Sequence, residues 1–423
     1  MFSVLSNSWA LLLGMFLLML GNGMQGTVLG LRGGIEAFDS TTMGYVMSGY
    51  FAGFLGGAQA TPWLLRRVGH VRVFAALASL ISAAFIIFAA VVGPVAWTLM
   101  RLVVGFCYSG VYVVAESWLN DSSTNENRGR TLSAYLIVQM LGIIVAQSLI
   151  NVADPGGYDL FVIMSVAVSI SFAPILLSAG PAPAFSTTRR MSLRRLFETS
   201  PLGCGGTFFL GATFACLFGM GAVYATEIGL TPAKISIFIG AIYVGGLVLQ
   251  YPIGWFSDRI DRRRLIAAVT ATGVAGCLVG LIFSGSFVAL VVAGFVIGGA
   301  SNPLYSLLIA HTNDYLEPED MASASGGLIV LNGVGAAGTP ILVGYLIQGL
   351  GAWAFLAFIA CVMAAISSYA FYRMTVRPAP AVEATSPISP ISMVSGTQVT
   401  AEIAQEIAVE QAAEDETGEG APV

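Results

Sequence analysis

The chain is short of charge. Only 10% of its 423 residues are Asp, Glu, Lys or Arg, against about a quarter in soluble proteins. Lysine occurs once, at Lys234, and histidine twice, at His70 and His311. The two histidines have no metal-ligand spacing, and none of the five cysteines forms a C-x-x-C pair. Those cysteines lie in apolar runs and read as small hydrophobes, not as a disulfide frame or metal site. No G-x-x-x-x-G-K-[ST] is present, which excludes a P-loop and argues against ATP drive. No basic block invites nucleic acid. With no catalytic constellation left, the expectation is a protein that is not an enzyme and has no cofactor.

What is abundant is oil. Hydrophobic residues make up 56% of the chain, and the mean hydropathy is +0.83. A soluble globule must still present polar groups to water, so the bilayer is the solvent that fits. Fifty glycines agree, since glycine lets membrane helices approach closely. A spanning helix needs about 20 mostly apolar residues. Twelve runs qualify: 9–31, 41–64, 72–92, 94–118, 131–150, 158–179, 204–226, 232–256, 265–284, 287–311, 322–347 and 352–374. No basic stretch precedes the first run, and it is too long for a signal peptide, so it is expected to be retained as a helix. The longest internal connection splits the chain six plus six. The expected units are an N-terminal half at 1–180, a linker at 181–203, a C-terminal half at 204–376 and an acidic, disordered tail at 377–423. In the linker, Leu193, Leu196 and Phe197 share one helical face, as if lying along a membrane surface. A short helix is expected near Glu402–Glu410.

The bases set the orientation. With the N-terminus in the cytoplasm, fifteen of the 18 fall on the cytoplasmic side, Arg32 and Lys234 fall outside, and Arg101 sits within a helix. That bias is the positive-inside pattern, and it puts both termini in the cytoplasm.

The halves repeat. At an offset of 192, Trp63-Leu-Leu-Arg66-Arg67-Val-Gly69-His70-Val-Arg72 lies over Trp255-Phe-Ser-Asp258-Arg259-Ile-Asp261-Arg262-Arg263-Arg264. Trp63, Arg67 and Arg72 coincide with Trp255, Arg259 and Arg264. Leu136-Ile-Val138 falls over Leu328-Ile-Val330, and Asn120-Asp121 over Asn313-Asp314 at an offset of 193. Duplicated six-helix halves are a transporter device, with the substrate site at their interface.

These residues resemble the major facilitator superfamily. Its cytoplasmic motif G-x-L-A-D-R-x-G-R-K is similar to Gly254-Trp-Phe-Ser257-Asp258-Arg259-Ile-Asp261-Arg262-Arg263. The first copy is degraded: Pro62 replaces the glycine and Arg66 the acid, while Arg67, Gly69 and Arg72 remain. Arg101-Leu-Val-Val-Gly105 resembles the family's R-x-x-x-G motif. Glu116-Ser-Trp-Leu-Asn120 and the segment Tyr305–Asp314 are similar to the YcaD-type branch, whose substrate is undefined. Gly142-Ile-Ile-Val-Ala-Gln147 lacks the Gly-Pro run of drug/proton antiporters. The resemblance implies an all-α membrane protein with the major facilitator fold: twelve transmembrane helices in two pseudo-symmetric six-helix halves. It implies a multi-pass transporter of the plasma (inner) membrane, a monomer in lipid, moving a small molecule by alternating access with possible proton coupling. Two other readings stay open: a non-transporting scaffold, and efflux of lipophilic compounds.

Arg101 is the sharpest residue. It lies roughly 8 Å from the bilayer midplane, where a charge costs about 2.5–3.5 kcal/mol or more. Asn22 and Gln25 fall at similar depth. The three are expected either to bind an anionic or strongly polar substrate or to couple a proton; the bland alternative is a snorkelling arginine. Gln139, Gln147, Asn302, Tyr305 and Asn332 are further polar residues at membrane depth. They either reach substrate or join helices by hydrogen bonds. The motif charges are expected to form a conformational latch. Glu116 would pair with Arg67, Arg72 or Arg130, and Asp314 with Arg259 or Arg263. The resemblance implies that Asp258 accepts backbone N–H groups at the start of the eleventh span, where the helix dipole favours an anion.

Overall fold

The structure, a computed structural model, describes residues 2–122, 125–174 and 191–376, and every regular element among them is helical. The first half contains α1 (Phe2–Ile35), α2 (Ser40–Val68), α3 (His70–Ala90), α4 (Pro94–Ser122), α5 (Asn125–Leu149) and α6 (Asp159–Ser171). A short helix, α7 (Leu193–Thr199), leads into α8, a span over Pro201–Glu227 interrupted by a π turn at Ala215–Met220. Then follow α9 (Pro232–Ser257), α10 (Arg262–Ile282), α11 (Phe287–Asn313), α12 (Pro318–Leu350) and α13 (Ala354–Val376).

Ten of these helices are long and apolar enough to cross a membrane, against the twelve predicted. The two exceptions have separate reasons. Helix α2 has 29 residues, but Ser40, Thr41, Thr42, Ser48, Gln59 and its terminal arginines dilute its apolarity. It can be this polar because it is sandwiched between α4 and α12. Helix α6 is described over 13 residues, and the end of the sixth predicted span lies outside the described residues. So do the tail and its expected short helix.

The halves use one packing plan. In the first, α2 packs on α4, α3 on α4 and α6, and α1 on α5 and α6. In the second, α9 packs on α11, α10 on α11 and α13, and α8 on α12 and α13. The closest approaches also repeat. A Cβ on Gly53 would strike the Leu102 carbonyl, and one on Gly105 the Tyr50 carbonyl. Likewise a Cβ on Gly245 would strike the Phe295 carbonyl, and one on Gly298 the Ile242 carbonyl. Backbone-to-backbone contact of this kind needs glycine at the crossing.

The two ends of the bundle differ. At the arginine-poor end the halves meet. A Cβ on Gly30 of α1 would lie 2.7 Å from the Ala222 Cβ of α8. The Tyr45 and Tyr345 hydroxyls are 3.1 Å apart, Thr41 donates to Gln348, and Ser40 Oγ donates to Glu227 over 3.4 Å. Asp39 caps α2 by accepting the Thr42 N–H at 2.6 Å; that hydrogen bond holds its carboxyl below the usual carboxylate range. Toward the arginine-rich end, a cavity of about 510 Å³ is lined by α5 from the first half and by α9 and α11 from the second.

The linker helix exists, but only Leu196 of its apolar face is buried. Leu196 packs at Gly327 of α12, while Leu193 and Phe197 stay exposed. Arg195 pairs with Asp320 of α12 at 2.5 Å, so α7 docks on the second half.

Candidate functional site

A cavity of about 120 Å³ lies between the halves at mid-depth. Its first-half wall comes from α1, α2 and α4, and its second-half wall from α8, α9 and α12. Arg101, Asn22, Gln25 and Asn332, four residues singled out by the sequence, all line it.

Arg101 is 2% exposed. One guanidinium nitrogen donates to Gln25 Oε1 at 2.9 Å and the other contacts Met47 Sδ at 3.3 Å. The group lies 4.8 Å from the centre of the Tyr50 ring, and Nε has no partner. Among the described residues no carboxylate neutralises it. The amides around it are already ordered. Gln25 Nε2 donates to Asn22 Oδ1 at 2.6 Å, which also accepts from the Tyr50 hydroxyl at 3.2 Å. Asn22 Nδ2 donates to the Tyr112 hydroxyl at 2.8 Å. A snorkelling arginine would carry its head to water; this one is held inside by neutral groups and faces empty space.

The opposite wall is aromatic. Phe218, in the π turn of α8, stacks on Tyr243 of α9 with ring centres 4.7 Å apart. Phe214 lies 5.2 Å from Phe218. Asn332 of α12 also faces the cavity and donates to the Thr207 carbonyl at 3.1 Å.

The other polar candidates scatter. Gln147 donates to the Gly23 carbonyl at 2.7 Å and accepts from Thr27 at 3.1 Å, joining α5 to α1. Asn302 donates to the Gly298 carbonyl at 3.2 Å and lines the cavity between α5 and α9. Gln139 is fully buried with neither amide atom bonded, and Tyr305 is 1% exposed. Neither lines the central cavity.

The motif charges pair differently from expectation. Asp314 bonds Arg262, not Arg259 or Arg263. Arg263 instead forks onto Asp261, with contacts of 2.9 and 3.1 Å, and Arg259 lies 4.0 Å over the Trp255 ring. Three consecutive arginines project about 100° apart on a helix; packing buries Arg262 and Arg263, at 3% and 5% exposed, and leaves Arg264 outside. Burial pushes the Asp314 carboxyl up to about 7, opposed by Arg262. Asp261 moves the other way: burial works against it, but hydrogen bonds from Arg263 leave it below the usual carboxylate range. Asp258 sits 3.8 Å from Arg262 and, with Gly254, lines the cavity facing α5. Across that cavity it faces α5 of the other half. In the first half Arg67 lies 5.4 Å over Trp63, the counterpart of Arg259 over Trp255. Gly69 turns the chain with φ +88°, and Arg72 is exposed. Glu116 is fully buried and accepts from the Tyr135 hydroxyl at 3.2 Å. The Arg130 side chain lies outside the described residues.

The sequence profile of the Major Facilitator Superfamily matches residues 11–200 and 203–407. The chain belongs to the Major Facilitator Superfamily. Among its major facilitator relatives, an uncharacterized MFS-type transporter YcaD of Escherichia fergusonii is 26% identical over 342 residues, covering 80% of this chain and 88% of the relative. An uncharacterized MFS-type transporter of an Enterobacter species is 28% identical over the same shares. The fold is shared with solved structures. The nucleoside transporter NupG superposes with a TM-score of 0.68 at 17% identity, over 87% of this chain and 98% of NupG. A variant of the Escherichia coli fucose:proton symporter FucP superposes with a TM-score of 0.54 at 17% identity, over 86% and 98%.

The sequence found the polar wall through charge and depth. It missed Tyr50, Phe218 and Tyr243, because an aromatic residue in an apolar helix carries the same signal whether it packs in the core or lines a cavity.

Proposed function

We propose that this protein is a secondary transporter of a small anionic or strongly polar molecule, bound between its halves at Arg101. One observation carries the reading: a buried guanidinium lines a cavity with no carboxylate beside it among the described residues. A buried charge is costly unless paired, and a ligand anion supplies the missing partner. Asn22 and Gln25 orient the guanidinium, and Asn332 presents a polar group from the facing half. The halves, 1–180 and 204–376, rock about this cavity. The arginine-poor end is closed, and the gap between α5 and α9 at the other end is where the halves part. The positive-inside pattern assigns the arginine-rich end and both termini to the cytoplasm of a plasma-membrane protein. Arg262, Asp314 and Asp258 form the charged hinge of the second half, and Arg67, Gly69 and Arg72 mark the weaker equivalent in the first. Glu116, buried beside Tyr135, is the carboxylate on which proton coupling would run.

A second reading, efflux of lipophilic compounds, draws on the larger cavity between α5 and α9. Leu136, Ile137, Met140 and Tyr251 give it an apolar lining.

The test is flux into proteoliposomes over a panel of organic anions, neutral polar solutes and lipophilic cations, with and without a pH gradient. Anion flux lost in Arg101→Ala at equal reconstitution supports the reading. Anion flux unchanged by that substitution removes it, and flux of lipophilic cations alone favours the second.

A further inference from the structure

The cavity has two chemically different walls, and the difference narrows the ligand. On one side Arg101 brings a guanidinium with no ion pair among the described residues to the cavity wall. Facing it is Phe218. From Gly211 to Ala225 every residue of α8 is buried except Phe218, which is only partly buried. This exposure opens into the cavity that Phe218 lines. The π turn at Ala215–Met220 is what places it there. Such turns insert an extra residue into a helix and cluster at functional sites. Tyr243 backs the ring in a stacked contact, with the ring planes 23° apart. A phenylalanine held by stacking on one side and facing a cavity on the other is a platform for a second ring. The guanidinium fork, in turn, matches a carboxylate in shape and charge.

We propose that the ligand is a small carboxylate bearing a flat unsaturated ring, its carboxylate on Arg101 and its ring against Phe218. This rests on the anion-binding reading above and adds the ring. The cavity holds about 120 Å³, so the space suits one ring rather than a fused system.

The two claims separate in a thermal-shift experiment on the purified full-length protein in detergent, with benzoate, cyclohexanecarboxylate and benzyl alcohol as probes. Benzoate is expected to stabilise at concentrations roughly threefold to tenfold below cyclohexanecarboxylate, the size of an aromatic-pair increment expressed as affinity. Benzyl alcohol should have no effect. Phe218→Leu should bring benzoate down to the cyclohexanecarboxylate response and leave the latter unchanged, while Phe218→Tyr keeps the preference. If Phe218→Leu fails to purify folded, Tyr243→Leu serves, since it removes the backing ring and should weaken the preference. Equal responses to both carboxylates overturn the ring and leave the anion site standing, as does a benzoate preference that survives Phe218→Leu. Response to neither carboxylate overturns both claims.

Discussion

Two arginines are buried to the same degree and live in opposite electrostatic worlds. Arg101 is 2% exposed and Arg262 is 3% exposed. Arg262 has Asp314 in contact, Asp258 at 3.8 Å, the Ser257 hydroxyl at 3.2 Å and the Ala310 carbonyl at 3.3 Å. Its charge is answered within the protein. Arg101 has an amide oxygen, a thioether and a ring, and an open cavity in front of it. Burial alone therefore does not mark a functional charge. The mark is burial without a counter-ion beside empty space, and the two sites teach it because they share a fold, a residue type and a depth of burial.

The comparison sharpens most if the Arg262 site is broken from its acidic side. Asp314→Asn leaves a buried cation without its closest anion and should cost about 3 kcal/mol or more of stability, read by chemical denaturation in mild detergent. Anion selectivity should stay as it was. A smaller test concerns the scaffold holding both arginines. Gly105→Ala and Gly298→Ala force a methyl into a facing carbonyl, and each should cost about 1–3 kcal/mol. Similar losses from the two would support one packing plan, and a loss from only one would break it. Smaller still is a pH effect. The folded Asp314 carboxyl has a pKa of about 7, above its ordinary 3.8, so the folded protein holds an extra proton between those values. The contribution of Asp314 to stability is then greatest at the acid end of this window, declines as pH rises from about 4 to about 7, and levels off above. The melting temperature of the native protein minus that of Asp314→Asn should fall across that range. The smallest effect belongs to an exposed arginine. Arg259 lies over Trp255 in solvent reach, and Arg259→Gln should cost no more than about 1 kcal/mol in the same denaturation assay.

The two arginines were not equally legible in the sequence. A lone charge inside an apolar run announces itself, so Arg101 stood out, and the depth of Asn22 and Gln25 follows from counting residues along a helix. The repeat was legible too, because Trp63 with Arg67 and Trp255 with Arg259 recur at one offset and prove to be the same stacked pair in space. Arg262 was hidden among three consecutive arginines, where only tertiary packing decides which side chains turn inward and which acid each one meets. Helix α2 falls short of a spanning composition because its neighbours, not lipid, surround much of it. The π turn that presents Phe218 leaves no pattern in composition or period.

The most direct test needs no ligand. Arg101→Gln and Arg262→Gln are compared with the native protein by thermal melting in the same detergent. Removing a charge that the protein leaves unanswered should keep or raise the melting temperature, so Arg101→Gln should melt at or above the native protein while Arg262→Gln melts clearly below it. If Arg101→Gln falls as far as Arg262→Gln, the guanidinium at 101 is a brace for the fold, and the claim that it waits for an anion is wrong.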